Sequence, residues 1–420
     1  MSVDEREDLG IPKSGFTDFL DDLRSRLVFI SGQLSCEDFG LTLKDVRKPV
    51  LCIGLPGIGK TCGIISVINE INSKLPADKQ FGFKKILLGQ TVVGTLSGVP
   101  VVNNQTGDIK RAQAPELPVV EKDGEYGILF LDEITTADEA QVQPALGLCD
   151  DSRNIGEYTL PEHWLVVAAG NGPDCTNFLR LDDMTLSRFS PYDIQYSYKN
   201  DWRPWAHEHD INPLIIAYLN FKPENCVAVE SSDMDDAGKM FACPRTWERL
   251  SIELKMREAM GKPVKSRELS NFAGRIVGKR VGREFAAFSV YSDDLPFEPQ
   301  KIMDGVERSA EPMKEEVFHI LLESCISIMK EVMKETNDGN GNYPSSTYQK
   351  MANMVDWFLG AEKFSLELVI NAVAEMRTNI ADFASILLDE DFLQFTHSFD
   401  EFVFNHADLI AEVGTEDLGF

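Results

Sequence analysis

The sequence predicts an α/β fold, with a parallel sheet covered by helices over roughly the first 200 residues and helices alone after it. Four short segments are apolar almost throughout and are separated by crossovers, as a sheet with both faces covered requires. They are Val50–Ile53, 85–88, 127–131 and 164–169. After Tyr198 this strand pattern fades, and aromatic and aliphatic residues recur at helical spacing.

Composition sets the broad class. The 420 residues include 41 basic and 68 acidic side chains, which give a net charge of −27, and 43% of the residues are hydrophobic. Such a chain folds, and its length predicts two or three domains. Nucleic-acid binders gain affinity from clustered Lys and Arg, so the acidic balance argues against nucleic acid as the main partner.

We expect a cytoplasmic location without a membrane anchor. The first eight residues are acidic and lack the apolar segment of a secretory signal, and the longest apolar segments are only long enough for strands. The eight cysteines contain no Cys-x-x-Cys pair, which disfavours a disulfide or zinc framework and fits a reducing compartment.

A phosphate-binding loop is predicted between the first apolar strand and a helix. Residues 54–61 match the pattern G-x-x-x-x-G-K followed by Thr, in which glycines let backbone N–H groups wrap around phosphate oxygens. Lys60 would neutralise the β and γ phosphates, and Thr61 would offer its hydroxyl to Mg²⁺. The predicted nucleotide contacts are Gly54, Pro56, Gly57, Ile58, Gly59, Lys60, Thr61 and Cys62.

Two adjacent carboxylates end a later apolar strand, and we assign them the metal and the water. Residues 128–131 lead directly into Asp132 and Glu133, and two such acids are costly to bury without a cation or hydrogen-bond donors. Asp132 would hold Mg²⁺ together with Thr61, and Glu133 would polarise the attacking water. This pair favours a hydrolase over a passive nucleotide binder.

Three further residues are candidates for catalysis. Asn171 follows the apolar strand 164–169 and could orient water by hydrogen bonds, although its sequence is equally that of a turn. Arg188 and Arg245 could stabilise the negative charge that spreads over a phosphoryl group in the transition state. From the residues alone, each arginine could equally form a surface ion pair.

The ordered set of motifs resembles the AAA+ ATPases. Residues 54–61 resemble Walker A, 129–133 Walker B, Asn171 sensor 1, Arg188 an arginine finger and Arg245 sensor 2. Within that superfamily the closest resemblance is to the MoxR group. It is carried by residues 132–137, the hairpin-like segment 153–161, 187–189 and 244–245, with Ser187 where the group usually has Asp.

The resemblance implies a fold, an activity and an assembly. The fold is a five-stranded parallel sheet of order 5-1-4-3-2 with a helical lid. The activity is Mg-ATP hydrolysis coupled to remodelling of a protein partner, which often bears a von Willebrand factor A domain. The assembly is a homo-oligomeric ring, a hexamer, in which Arg188 acts on the ATP of the neighbouring subunit.

Four regions follow from the motifs and the resemblance. Residues 1–44 form a helical lead-in, 45–198 the nucleotide-binding α/β domain, 199–292 the lid, and 293–420 an acidic helical region. An insert over residues 92–118, which includes Lys110 and Arg111, occupies the place where the MoxR group adds a loop. Four phenylalanines at positions 392, 395, 399 and 402 fall on one helical stripe, which favours packing on the chain's own core over docking.

Several alternatives remain open at this stage. A DNA-associated motor or clamp-loader-like switch shares every motif, and so does a scaffold that assembles on ATP with little turnover. GTP is disfavoured because no Asn-Lys-x-Asp signature is present. A metal site at His207 and His209 is disfavoured because residues two apart lie on different helix faces. A bacterial or virus-encoded origin is equally compatible.

Overall fold

A computed structural model gives the fold. It describes residues 9–406 except 93, 95, 103–108, 113, 174, 176, 177, 229–239, 294, 338–342, 388 and 397. The chain divides into two compact units. The first contains residues up to 197 together with 243–245, and the second contains 198–228, 240–242 and the chain from 246 onward. Among the described residues, no helix has both the length and the apolar composition that crossing a bilayer demands.

The first unit is built on a parallel sheet of six strands. In chain order these are β1 (Lys13–Gly15), β2 (Val50–Ile53), β3 (Gly82–Leu87), β6 (Tyr126–Asp132), β9 (His163–Gly170) and β10 (Ser190–Gln195). The spatial order is β1-β10-β2-β9-β6-β3, and every neighbouring pair is parallel. Without β1, this is the order 5-1-4-3-2, so the predicted fold class is confirmed.

The edge strand β1 is an addition to the five-stranded sheet. It pairs with β10 over three residues and leads directly into the first helix, Phe16–Ile30. That helix buries an apolar stripe, with Phe19, Leu23 and Leu27 fully inaccessible. The segment that we expected to be only helical therefore also supplies a strand to the sheet.

Two β-hairpins lie outside the six-stranded sheet. One pairs β4 (Val99–Val102) with β5 (Ile109–Ala112) inside the expected insert, and its connection over residues 103–108 lies outside the described residues, as does the side chain of Lys110. The other pairs β7 (Asn154–Ile155) with β8 (Tyr158–Thr159), where the sequence indicated a hairpin. The helices of this unit are α1 (Phe16–Ile30), α2 (Leu43–Val46), α3 (Lys60–Asn72), α4 (Val120–Asp123), α5 (Glu139–Leu146) and α6 (Asp183–Leu186).

The second unit consists of helices joined by turns and loops in its described residues, with an isolated bridge between Ala228 and Ala242. A π-helical turn, Tyr198–Trp202, opens it. The helices that follow are α7 (Arg203–Glu208), α8 (Pro213–Phe221), α9 (Pro244–Ala259), α10 (Ser266–Val277), α11 (Lys279–Asp293), α12 (Gln300–Met303), α13 (Glu315–Thr336), α14 (Ser345–Leu359), α15 (Leu366–Asn379), α16 (Phe383–Ile386), α17 (Glu390–Leu393) and α18 (Ser398–Asn405).

The C-terminal phenylalanines pack on the core of this unit, as we expected. Phe392 and Phe402 are buried, and Phe395 and Phe399 pack against the same apolar cluster. The single helical stripe is wrong, however, because α17 and α18 are separate short helices with a turn between them. The acidic residues from 407 onward lie outside the described part.

A polar cluster lies buried among the helices of the second unit. Arg203 forms an ion pair with Glu375, and Asn379 donates a hydrogen bond to the other carboxylate oxygen of Glu375 at 2.9 Å. Nearby, Asn220 donates to Glu323 at 2.7 Å. Buried polar groups require partners of this kind, so the cluster constrains how α7, α8, α13 and α15 pack.

His207 completes that cluster, and the charges around it disfavour a metal ion there. Its Nε2 atom lies 3.6 Å from Glu323 Oε2, and both side chains are buried. Two cations, Arg203 and Lys330, already oppose the two carboxylates, since both lower the pKa of Glu323. A divalent ion would therefore add uncompensated charge in a buried place. The other histidine, His209, is exposed and stacks on Trp205.

Burial sets the protonation of this cluster. It lowers the pKa of His207 to about 3, and it raises the pKa of Glu323 well above its ordinary value, with the charge of Glu375 acting in the same direction. A carboxyl group whose pKa is raised by folding binds its proton more tightly in the folded protein than in the unfolded chain. Once the pH is high enough to ionise the carboxyl of the unfolded chain, that difference works against folding. Its contribution to stability is therefore lost as the pH rises above the ordinary pKa of 4.5.

We predict that Glu323→Gln makes the melting temperature less sensitive to pH. Between pH 5 and pH 8 the wild-type protein should lose about 2–4 °C more than the variant, because Gln cannot ionise in the unfolded chain. Thermal unfolding across this range measures it. Glu331→Gln, at an exposed position on the same helix, should follow the wild type. Parallel pH profiles for wild type and Glu323→Gln would contradict the assignment.

Candidate nucleotide-binding site

The predicted phosphate loop joins the carboxyl end of β2 to the amino end of α3. Gly57 and Gly59 have positive φ angles of 79° and 93°, which L-residues with side chains rarely adopt. Gly59 is the N-cap of α3, whose first residue is Lys60. Backbone N–H groups at a helix amino terminus form a site for anions, so the loop has the form that phosphate binding needs.

A segment distant in sequence, residues 243–245, packs against this loop. The backbone N–H of Arg245 donates to Gly57 O at 3.1 Å, and a Cβ added to Gly57 would lie 2.5 Å from Cys243 Sγ. Glycine is therefore required at position 57 for space as well as for φ. Arg245 itself is exposed, and its charge lowers the pKa of Lys60, so it lies beside the loop.

The Lys60 amine folds back onto the loop. Its Nζ donates to Gly54 O at 2.8 Å and to Leu55 O at 3.1 Å, and it lies 3.5 Å from Asn171 Oδ1. Burial lowers the pKa of Lys60, because a desolvated ammonium is costly without an anion. A bound phosphate would supply that anion.

Asp132 is the last residue of β6, and its carboxylate forms an ion pair with Lys85. Lys85 Nζ lies 2.6 Å from Asp132 Oδ2, and the Glu133 N–H donates to Oδ1 at 2.9 Å. The negative charge of Asp132 raises the pKa of both Lys60 and Cys52, so this carboxylate faces the loop. Carboxylate and hydroxyl oxygens suit Mg²⁺, so Asp132 and Thr61 have the side chains that such a site would need.

Glu133 sits in a strained backbone conformation. Its φ angle is 61°, which is uncommon for a residue other than glycine. Two backbone hydrogen bonds hold this turn. The Thr136 N–H donates to Glu133 O at 3.0 Å, and the Ile134 N–H donates to Ala169 O at 3.0 Å. A Cβ on Gly89 would lie 3.3 Å from Glu133 Oε2, so the carboxylate lies over that glycine. Strain of this kind persists where surrounding contacts hold it, often at functional sites.

Thr135 positions Asn171, and the sequence interpretation missed it. The Asn171 N–H donates to Thr135 Oγ1 at 2.8 Å, and the Thr135 hydroxyl donates to Asn171 O at 3.0 Å. Thr135 is fully buried, and a Cβ on Gly170 would lie 2.4 Å from its methyl carbon. The signal was Thr135 two residues after Glu133, together with a glycine directly before Asn171.

Three parallel strands thus bring most of the predicted residues to one edge. The loop follows β2, Asp132 and Glu133 lie at the end of β6, and Asn171 follows β9. These strands are neighbours in the sheet. The carboxyl edge of a parallel sheet is where such folds bind ligands.

Arg188 lies at the opposite edge. It comes two residues before Ser190, which pairs with Val50 at the start of β2, whereas the loop follows Ile53 at the far end of that strand. A strand of four residues is about 10 Å long. Arg188 instead pairs with Asp150, at 2.6 Å between Nε and Oδ1. It does not reach the phosphate loop of its own chain.

Comparison with known proteins gives only distant similarity. No family model and no curated protein matches the chain. Among solved structures, a RuvB variant from Thermotoga maritima is 18% identical over 71% of this chain and 80% of its own, with a TM-score of 0.34. A protein from Cytophaga hutchinsonii named as a candidate ATPase is 12% identical over 74% and 80%, with a TM-score of 0.27. Scores this low assign no function, so the assignment rests on the residues themselves.

We predict that Gly57→Ala destabilises the protein more than Gly59→Ala. Both variants carry the strain of a side chain at positive φ, about 1–2 kcal/mol. Only position 57 adds a clash with Cys243 Sγ, worth about 1–3 kcal/mol more, since a Cβ at Gly59 meets no neighbouring atom. Thermal unfolding without nucleotide measures the difference.

Cys243→Ala provides the control for that prediction. Combined with Gly57→Ala it should recover most of the extra loss, because the clashing sulfur is removed, and the single Cys243→Ala variant completes the cycle. Equal melting temperatures for Gly57→Ala and Gly59→Ala would show that the loop does not rest on Cys243.

Proposed function

We propose that this protein is an Mg-ATP-dependent ATPase of the AAA+ type that works as a ring of identical subunits. The observation that carries the proposal is the meeting of the loop, Asp132, Glu133 and Asn171 at one edge of three neighbouring strands. Each residue type matches a task in phosphoryl transfer, which depends on positioning and charge stabilisation.

The loop residues bind the triphosphate. Backbone N–H groups of 54–61 would surround the phosphates, and Lys60 would exchange the carbonyls of Gly54 and Leu55 for phosphate oxygens. Arg245, exposed beside the loop, adds a second positive charge. Thr61 and Asp132 would hold Mg²⁺, which neutralises phosphate charge when bound.

Glu133 and Asn171 act on the water. The carboxylate of Glu133 would accept a proton as the water oxygen bonds to the γ-phosphorus and the bond from that phosphorus to ADP breaks. Asn171 would orient the water through its amide, because its side chain already reaches the Lys60 amine. Thr135 keeps Asn171 in place.

Arg188 serves the neighbouring subunit in this proposal. It lies at the far end of β2 from its own loop, so the phosphates it stabilises belong to another copy. The ring is needed for turnover, since each site is incomplete without the guanidinium of the next chain. Ring closure with identical interfaces is the simplest assembly that gives every subunit one such arginine.

We predict that two inactive variants restore each other. Glu133→Gln lacks the base and Arg188→Ala lacks the finger, and each alone should lose at least about 99% of turnover. In an equal mixture, a quarter of the sites combine an intact Glu133 with a neighbour's intact Arg188. The steady-state ATPase rate should therefore recover to about a quarter of wild type.

The matched control replaces Glu133→Gln with a chain that carries both substitutions. Mixed with Arg188→Ala, it supplies no arginine, so the rate should stay at the background. Recovery there, or wild-type turnover by Arg188→Ala alone, would contradict the shared site. A wild-type chain that binds ATP and assembles without hydrolysis would instead indicate an ATP-dependent scaffold.

We further propose that the ring acts on a protein, as the resemblance to the MoxR group suggests. The net charge of −27 supports a protein over a nucleic acid as the partner. Glu133→Gln rings held in the ATP state should retain a protein that carries a von Willebrand factor A domain in a pull-down from host lysate. Lys60→Ala, which lacks the phosphate-binding amine, is the matched control and should retain none.

DNA tests the other possibility. Duplex DNA should leave the ATPase rate within about twofold of its basal value, because the chain is strongly acidic. Strong stimulation by DNA would overturn the assignment of a protein partner and favour a DNA motor.

A further inference from the structure

A groove of about 640 Å³ opens in the first unit beside Arg188. Its charged lining residues are Lys44, Arg47, Lys48, Asp150, Asp151, Arg153 and Arg188. Five basic residues thus face two acidic ones, a local excess of positive charge in a strongly acidic chain. The two acids differ in what they contact, and that difference assigns a role to one of them.

Asp150 holds the Arg188 side chain from one side. Arg188 Nε donates to Asp150 Oδ1 at 2.6 Å, and Nη1 donates to Met184 O at 2.9 Å. These two contacts hold the guanidinium through Nε and Nη1, and neither of them involves Nη2. An arginine side chain has many rotamers, and two anchors reduce the entropy it loses when it binds a phosphate.

The backbone that carries Asp150 is itself well held. Asp150 follows Leu148 and Cys149, which are buried, and Asp150 O accepts the Arg153 N–H at 3.0 Å. A carboxylate on such a turn can hold a guanidinium in one orientation. Asp151, by contrast, pairs with Lys44 on the surface, at 2.7 Å between two mostly exposed side chains.

We propose that Asp150 is a positioning residue for Arg188, holding the guanidinium so that Nη2 meets the γ-phosphate of ATP bound by the neighbouring subunit. This inference rests on the proposed function. The Asp150 carboxylate does not cancel the charge that Arg188 delivers, because the other bases of the groove outnumber the acids. Pre-organisation of a charge before the transition state forms is a recognised source of rate enhancement.

Asp150→Ala should lower kcat about tenfold and leave KM unchanged, because the finger loses its orientation while each subunit's own phosphate loop stays intact. Asp150→Asn should keep most of the activity, since its amide oxygen can still accept the Nε proton. Asp151→Ala is the matched control, at the adjacent position and with its own lysine partner, and should hydrolyse ATP like the wild type.

The double variant Asp150→Ala/Arg188→Ala tests whether the two residues act together. If Asp150 acts only through Arg188, the double variant turns over ATP no more slowly than Arg188→Ala alone. A further loss in the double variant would show that Asp150 has a separate structural effect and would overturn the assignment.

Subunit mixing separates positioning from misfolding. An Asp150→Ala chain keeps its own Glu133, so mixing it with Glu133→Gln chains should raise turnover at sites that receive an intact Arg188. No recovery would mean that Asp150→Ala damages its own nucleotide site, which contradicts the inference.

The outcomes distinguish this inference from the proposed function. Wild-type activity in Arg188→Ala would remove the shared site and this inference with it. Loss in Arg188→Ala but not in Asp150→Ala would remove only the positioning role. A rise in kcat for Asp150→Ala would show that Asp150 masks the arginine, which reverses the proposed effect.

Discussion

The buried amine of Lys60 is the constraint on which the site depends. Two backbone carbonyls and the amide oxygen of Asn171 surround it, and burial lowers its pKa by more than the negative charge of Asp132 raises it. Under the proposed function, a bound triphosphate would supply the missing negative charge. The loop that holds the amine therefore favours an anionic ligand, and the neighbouring strands place at the same edge the residues to which we assign the chemistry.

The central strands could be predicted because they are apolar over their whole length. β2 and β9 are buried almost throughout, and a sheet covered on both faces demands that pattern. The apolar pattern did not predict β10, because Ser190, Asp193 and Gln195 interrupt its hydrophobic residues. β1 has only three residues and no apolar side chain, so no periodicity could reveal it.

The sequence predicts the local parts of the candidate site but not the parts that depend on contacts between distant residues. The phosphate loop has a sequence signature, because its glycines and Lys60 are adjacent in the chain. Thr135 acts through contacts with Asn171, 36 residues away, and only the folded chain shows them. The support that Cys243 gives to Gly57 is also a long-range contact. The pairing of Arg188 with Asp150 joins residues 38 apart, and no local pattern encodes it.

The left-handed backbone at Glu133 lowers the stability of the folded state, and the contacts of the rest of the turn must offset this loss. Glycine at this position would relieve it, yet glycine lacks the carboxylate to which we assign the activation of water. If Glu133 is the base of the proposed reaction, the chain keeps a less stable turn together with a carboxylate at this position, which is a trade-off between stability and activity. A single change from Glu133 to glycine would then relax this turn and, under the proposed function, leave an enzyme that binds nucleotide without turning it over.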